Sequence, residues 1–120
     1  MAGQPGLKIG QSQGVTIVGF GDVPMLDTVT TQHVAPALYA LVEDPANRRI
    51  VLDVHDVRFL SSQTLGVLLT FRRRADKADI KVAIAGLRPE LARVFEITNL
   101  DKLFAFCQST EDAIAQFKHA

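Results

Sequence analysis

The sequence lacks several features on which large classes of protein depend. Its 120 residues include one cysteine, Cys107, which excludes an internal disulfide and a cysteine-rich metal site. Thirteen basic residues balance thirteen acidic ones, so no net charge favours nucleic acid or an anionic membrane surface. No apolar run reaches the roughly 20 residues that a membrane-spanning helix needs, so we expect no insertion into a membrane.

Motifs of catalysis and cofactor binding are also missing from the sequence. It contains no glycine-rich phosphate loop, no local serine–histidine–acid motif and no basic segment interleaved with aromatic residues. We therefore expect a protein that is not an enzyme, that has no catalytic residue, and that binds no cofactor, metal or nucleic acid.

What is present is an ordinary globular composition, with 48% hydrophobic and 22% charged residues. The length suits one domain with one core. Residues 1–6 (Met-Ala-Gly-Gln-Pro-Gly) lack the apolar region of a signal peptide. We expect them to form a flexible tail, residues 7–120 to form a single domain, and the protein to be cytoplasmic.

The spacing of apolar residues predicts strands that alternate with helices, in the order β-β-α-β-α-β-α-β-α. Two strands are expected between Lys8 and Phe20, broken at Gln13–Gly14, and three more at residues 50–54, 80–85 and 103–107. Helices are expected after an N-cap at Asp27, from about Ser62 to Ala75, from Pro89, and after Ser109. This alternation indicates an α/β fold with a mixed, mostly parallel sheet covered by about four helices.

Two adjacent serines, Ser61 and Ser62, stand where an apolar strand segment gives way to an apolar helix. At a helix N-terminus, backbone N–H groups point outward and the helix dipole favours negative charge. A hydroxyl there acts as a cap, a nucleophile or a phosphorylation site, and a plain cap at Ser62 is the simplest interpretation. Because no partner base is recognisable, cap and phosphorylation site remain. Gly66, four residues on, is expected to serve close packing or a tight first turn.

A second cluster of polar residues follows the strand at 50–54. On a continuing strand, Asp53 and His55 share one face and Asp56 lies on the other, which makes a poor metal site. A phosphoacceptor Asp53, as in receiver domains, is a further alternative, with Asp22 and Lys102 as loose counterparts of the receiver's acidic pair and lysine.

Four stretches together resemble the STAS family, the sulfate-transporter and anti-sigma-factor-antagonist domain. They are Leu26–Asp27, Val51–Phe59, Leu60–Gly66 and Leu91–Phe104. In the third stretch Ser61 stands where the family often has aspartate, and Ser62 falls on the serine that is phosphorylated in the family. The resemblance implies a STAS-like fold over most of the chain, from about Val15 to Phe117.

The resemblance also implies a regulatory module that binds a protein and performs no catalysis. It implies an anti-sigma-factor antagonist whose partner is an anti-sigma factor of the GHKL serine-kinase type, with binding controlled by phosphorylation of Ser62. Ser61 and Thr64 are the alternative phosphorylation sites. The implied partner-binding residues are Asp27, Ser61, Ser62, Gln63 and Thr64. The alternative within the family is an unphosphorylated subunit of a stress-signalling or lipid-transport assembly.

Overall fold

A computed structural model describes residues 8–20, 25–26 and 28–118 of the chain. Over these residues the strands are β1 (Lys8–Ser12), β2 (Val15–Gly19), β3 (Met25–Leu26), β4 (Arg49–Asp53), β5 (Phe59–Leu60), β6 (Lys81–Ala85) and β7 (Ala105–Cys107). The helices are α1 (Thr28–Glu43), α2 (Ser62–Lys77), α3 (Pro89–Ile97) and α4 (Thr110–Lys118), with a 3-10 turn at Leu100–Lys102. The predicted flexible tail, residues 1–6, lies outside the described residues.

The main sheet has five strands in the order β1-β2-β4-β6-β7. Strand β1 runs antiparallel to β2 through the turn at Gln13–Gly14, and the other neighbouring strands are parallel. Both turn residues have positive φ, 54° and 80°, which suits the tight reversal. The predicted mixed, mostly parallel sheet with four helices is confirmed.

Hydrophobic residues of the central strands alternate between the two faces of the sheet. Ile50, Leu52 and Ile84 face a large core that they share with α1, α2 and α3, whereas Val51 and Ala83 face a smaller core under α4. A strand buried on both faces needs apolar residues at successive positions, which is why Ile50–Leu52 reads as an unbroken apolar run. Helix α4 therefore lies on the face opposite to the other three helices.

Three short elements were not predicted from the sequence. Strands β3 and β5 form a separate two-stranded parallel ladder, in which Met25 pairs with Phe59 and Leu26 pairs with Leu60. The 3-10 turn at Leu100–Lys102 occupies the approach to the last strand, so β7 begins at Ala105 and not at Leu103. Asn99 before the turn has φ 61°, as expected for an asparagine at a helix terminus.

Gly66 does not have the packing role that was predicted for it. It lies exposed in α2, and a Cβ atom built on it would meet nothing within 4 Å. The helix packs through the buried residues Leu68, Phe71 and Ala75 further along, so Gly66 faces away from the core.

Candidate functional site

The β3–β5 ladder brings the starts of two helices together. Leu26 pairs with Leu60, and the helices α1 and α2 begin two residues after each of them, at Thr28 and Ser62. Asp27, a predicted cap and partner-binding residue, lies outside the described residues. The ladder therefore brings Leu26 and Leu60, which are far apart in the sequence, into one region of the molecule.

Ser61, and not Ser62, caps α2. The Ser61 Oγ accepts a hydrogen bond from the backbone N–H of Thr64 at 3.1 Å and lies 2.9 Å from the Thr64 Oγ1. Ser61 is extended (φ −79°, ψ 164°), because the ladder holds the chain straight through Leu60. The prediction that Ser62 provides the cap is therefore wrong by one residue.

The four residues at the start of α2 (61–64, here called the α2 start) differ in how far they reach solvent. Ser62 and Gln63 are exposed, and Ser61 is half-buried. Thr64 is 2% exposed and its hydroxyl lies against that of Ser61, so this burial contradicts its assignment as an alternative phosphorylation site or a partner contact. Ser62 is the hydroxyl of the α2 start that is most open to an enzyme or a partner.

The electrostatics of the α2 start favour an added negative charge. Its first turn contains no acidic residue, whereas α3 has Glu90 and α4 has Glu111 and Asp112 in the corresponding turn. Carboxylates in a first turn offset the positive end of the helix dipole. The first turn of α2 itself supplies no such counter-charge, so its dipole and outward N–H groups favour an anion held at Ser62.

An exposed aromatic residue lies beside the α2 start. Phe59, in β5, is 48% exposed, three residues before Ser62. Phe59 had no predicted role, although its place in a two-residue apolar segment between Arg58 and Ser61 could have indicated an exposed aromatic residue. Phe59 is one of four large hydrophobic side chains exposed in the described part of the chain, with Ile9, Ile97 and Leu103, and it is the one that lies next to the α2 start in sequence.

The second polar cluster differs from its prediction. Strand β4 ends at Asp53, and the chain then turns so that His55 contacts both flanking carboxylates. Its Nδ1 lies 2.7 Å from the Asp53 Oδ1 and its Nε2 lies 3.2 Å from the Asp56 Oδ2. The hydrogen bond and charge of Asp53 raise the pKa of His55 above its usual 6.5. The prediction that Asp56 lies opposite His55 is wrong, because it assumed that the strand continued.

Two negative findings apply to the part of the chain that the structure describes. It contains no group of three or more histidine, cysteine, aspartate or glutamate residues arranged to hold a metal ion. None of its helices is both long enough and apolar enough to cross a membrane.

The family model for the STAS domain matches residues 11–113, which include β2, the β3–β5 ladder and the α2 start. The chain belongs to the STAS family. Among curated STAS relatives, the putative anti-sigma factor antagonist BtrV of Bordetella bronchiseptica is 32% identical over 77 residues, or 64% of this chain and 66% of BtrV. A STAS-domain containing protein of Pseudomonas aeruginosa is 33% identical over 57 residues. The chain spans less than two thirds of the length of either relative, 66% and 56% respectively.

Solved structures of STAS proteins confirm the fold. An anti-sigma-factor antagonist domain from Planctomyces limnophilus has a TM-score of 0.86 at 17% identity, covering 95% of this chain and 98% of that one. An anti-sigma factor antagonist from Mycobacterium paratuberculosis has a TM-score of 0.80 at 25% identity, covering 92% and 91%. The Bacillus cell fate determinant SpoIIAA in its phosphorylated form has a TM-score of 0.72 at 14% identity, covering 92% and 98%.

Proposed function

We propose that this STAS domain is an anti-sigma-factor antagonist that binds its partner through the α2 start, and that phosphorylation of Ser62 controls the binding. One observation supports the proposal most directly, namely that the two serines differ in hydrogen bonding and exposure. Ser61 makes the capping hydrogen bond, and Ser62 stands exposed beside it. Modification of Ser62 therefore does not remove the cap, and the helix keeps its start.

We expect the domain to remain folded when a phosphate is attached to Ser62. A phosphoryl group adds about −1.5 to −2 charges at neutral pH. Because α2 has no acid in its first turn, the added charge meets the unopposed end of the helix dipole. Phosphorylation then changes the charge of the surface without unfolding the domain, which is what a reversible binding switch requires.

The proposed partner is an anti-sigma factor of the GHKL serine-kinase type, in the cytoplasm. The similarity to BtrV, a putative anti-sigma factor antagonist, supports this class of partner. The phosphorylated form of SpoIIAA supports a phosphorylated state on this fold. We propose that Asp27, Ser61, Ser62 and Gln63 contact the partner, with Phe59 as the apolar anchor at their side.

The decisive experiment measures phosphate incorporation. The purified chain is incubated with its cognate anti-sigma kinase and ATP, and the modified residue is mapped by mass spectrometry. We expect one phosphate on the wild-type chain and none on Ser62→Ala. Thr110→Ala is the matched control, because Thr110 is the first residue of α4 and Ser62 is the first residue of α2. The Thr110→Ala variant should be phosphorylated on Ser62 like the wild type.

Phosphate that remains on the Ser62→Ala variant would contradict the assignment of Ser62. A second function would be supported by two results together. The wild-type chain would take up no phosphate, and the wild type and Ser62→Ala would bind the same partner with equal affinity. That function is an unphosphorylated subunit of a stress-signalling or lipid-transport assembly. Its specific support is Ser61, which stands where the family resemblance predicts an aspartate and serves as a helix cap.

A further inference from the structure

Strand β1 forms one edge of the main sheet, and within the described residues no strand pairs with its outer side. Four of its five residues are exposed and the fifth is half-buried. An edge strand presents backbone N–H and C=O groups that can pair with another chain. The outer side of β1 is therefore a candidate interaction surface, and it shares no residue with the α2 start.

Strand β1 lacks the features that usually protect an edge strand. Protected edges are very short, or carry proline, a bulge or inward-pointing charges. Strand β1 has five residues with no proline and no acid, its register with β2 is unbroken, and its one charged residue, Lys8, lies at its end. The opposite edge, β7, has only three residues, of which two are partly buried. Of the two edges, β1 is thus the one open to pairing.

The turn between β1 and β2 determines which backbone groups of β1 face outward. The two turn residues, Gln13 and Gly14, both have positive φ, as in the tight two-residue turn of a β-hairpin. In such a turn the flanking residues bond to each other, so Ser12 and Val15, which are register partners, form a hydrogen-bonded pair.

The alternation of the ladder then assigns the remaining residues of β1. Hydrogen-bonded and non-hydrogen-bonded pairs alternate along an antiparallel pair of strands. Since Ser12 bonds to β2, Gly10 and Lys8 do so as well, and the N–H and C=O groups of Ile9 and Gln11 point away from β2. The outward groups are therefore placed symmetrically on either side of Gly10.

We propose that β1 pairs antiparallel with β1 of a second copy of this chain, about a two-fold axis at Gly10. In this register Ile9 of each copy lies opposite Gln11 of the other, and each such pair uses all of its outward backbone groups. The two Gly10 residues face each other in a non-hydrogen-bonded pair, in which Cα atoms approach to about 4.5 Å. The two five-stranded sheets become one continuous sheet.

The charges of β1 favour this arrangement of two copies. In the antiparallel register Lys8 lies opposite Ser12 of the other copy, so the two lysines lie at opposite ends of the paired strands. A parallel, in-register pairing would place the lysines side by side, and like charges on neighbouring strands are destabilising. The chain as a whole has a formal net charge of zero, so overall repulsion does not oppose a dimer.

The side chain of Ile9 also favours a second copy. It lies on the same face of the sheet as its register partner Val18, which is buried in the large core, yet Ile9 is 52% exposed. In the proposed register the Ile9 side chains of the two copies are diagonal neighbours on one face. Pairing therefore covers apolar surface that the single chain leaves in water.

The proposed interface is small, because each copy contributes one short strand. Interfaces that bury less than about 1,200 Å² are typical of transient complexes. We expect a dimer with a Kd of about 10–100 µM. Such a dimer carries two α2 starts, and its formation does not depend on the phosphorylation of Ser62.

Sedimentation velocity over a concentration series tests the proposal. The wild-type chain should change from monomer at about 5 µM to mostly dimer at about 500 µM. Ile9→Lys should raise the Kd at least about tenfold, because it places like charges across the axis. Ile97→Lys is the matched control, since Ile97 is 72% exposed at the end of α3, and it should dimerise like the wild type. A wild-type chain that stays monomeric, or equal weakening by both substitutions, would overturn the proposal.

A mixture of two variants tests the two-fold register. Ile9→Glu alone should dimerise as poorly as Ile9→Lys, whereas an equimolar mixture of the two should associate again, because opposite charges then become diagonal neighbours. A mixture that stays monomeric would overturn this register. Gln11→Pro provides a further test if a charged variant fails to fold, since it removes an outward N–H and should also weaken the dimer.

Amide hydrogen exchange locates the pairing on the chain. The amides of Ile9 and Gln11 should exchange severalfold more slowly in a concentrated sample than in a dilute one, because pairing gives them acceptors. The amide of Gly10 already bonds to β2, so its exchange should change less. Slowing that is confined to another element, or that is absent from Ile9 and Gln11, would overturn the assignment of the interface to β1.

Discussion

Helices α2 and α4 each begin with a serine cap followed by a second hydroxyl residue, Ser61–Ser62 in one and Ser109–Thr110 in the other. In both helices the cap hydroxyl accepts a hydrogen bond at 3.1 Å from the backbone N–H three residues on. The two starts differ in what surrounds this shared motif. At α4, Glu111 and Asp112 supply negative charge to the first turn, whereas α2 has none there.

The difference separates a structural helix start from a candidate regulatory one. The carboxylates of α4 already offset its dipole, so a phosphate on Thr110 would be repelled by its neighbours. The α2 start is open to a phosphate and lies beside the exposed Phe59. A cap motif in the sequence therefore does not distinguish the two helix starts, whereas the charge of the first turn does.

The largest expected effect concerns partner binding. Ser62→Asp should weaken binding of the anti-sigma factor by about 100-fold, or ~2.7 kcal/mol, because a charge at a buried interface costs several kcal/mol. Thr110→Asp, at the equivalent position of α4, should leave the affinity unchanged. Isothermal titration calorimetry measures both. Equal loss of binding in the two variants would show that the α2 start has no special role.

A smaller effect is expected from removing each cap. Ser61→Ala should lower the free energy of unfolding by about 1–2 kcal/mol, since it removes the cap and a partner of the buried Thr64 hydroxyl. Ser109→Ala removes only the bond to the Asp112 N–H, and about 1 kcal/mol is expected. Urea unfolding measures both variants. A larger cost at Ser109 would contradict the double role of Ser61.

Adding a negative charge to the first turn of α2 and removing one from the first turn of α4 should change the stability of the domain in opposite directions. Gln63→Glu should stabilise the domain by about 0.3–1 kcal/mol because it supplies the charge that α2 lacks, and Glu111→Gln should destabilise it by a similar amount. Thermal unfolding at low and high salt measures the two changes, and both should shrink as salt rises. A destabilising Gln63→Glu would mean that the α2 start does not favour negative charge.

The smallest effect is a pH dependence from His55, in the segment that leads to the α2 start. Asp53 raises the pKa of His55, so its contribution to stability is complete below about pH 6.5 and is lost as the pH rises through the raised value. The side chain is 63% exposed, so less than about 0.5 kcal/mol is expected. His55→Gln should remove this part of the pH profile of unfolding. An unchanged profile would assign the dependence to other groups.

Local patterns in the sequence predicted most of the fold. Alternating β-branched residues marked β2, apolar residues at helical spacing marked α2 and α3, and Pro89 marked the first turn of α3 correctly. These signals are local, because a strand or helix depends on the spacing of its own apolar residues. Strands β3 and β5 have two residues each, which is too short for a recognisable spacing of apolar residues. They form because they pair with each other.

The cap of α2 was predicted to within one residue, and the error has a physical cause. The sequence offered two adjacent serines as caps, and the choice between them depended on where the extended chain ends. That point is set by the pairing of Leu26 with Leu60, which joins segments far apart in the sequence. Thr64, which was an alternative phosphorylation site in the prediction, is buried, and no local pattern of the sequence indicated this burial.

The sequence by itself determined the alternation of strands and helices, the hydroxyl pair before α2, and the family resemblance that these residues carry. Only the tertiary structure decided which serine caps α2, which serine is exposed, and that Thr64 is buried. Leu26 and Leu60, whose pairing sets the end of the extended chain before α2, come from two separate strands, and no local period relates them. Periodicity is a property of a segment, whereas a site depends on contacts between segments, and only the packed sheet and helices bring those segments together.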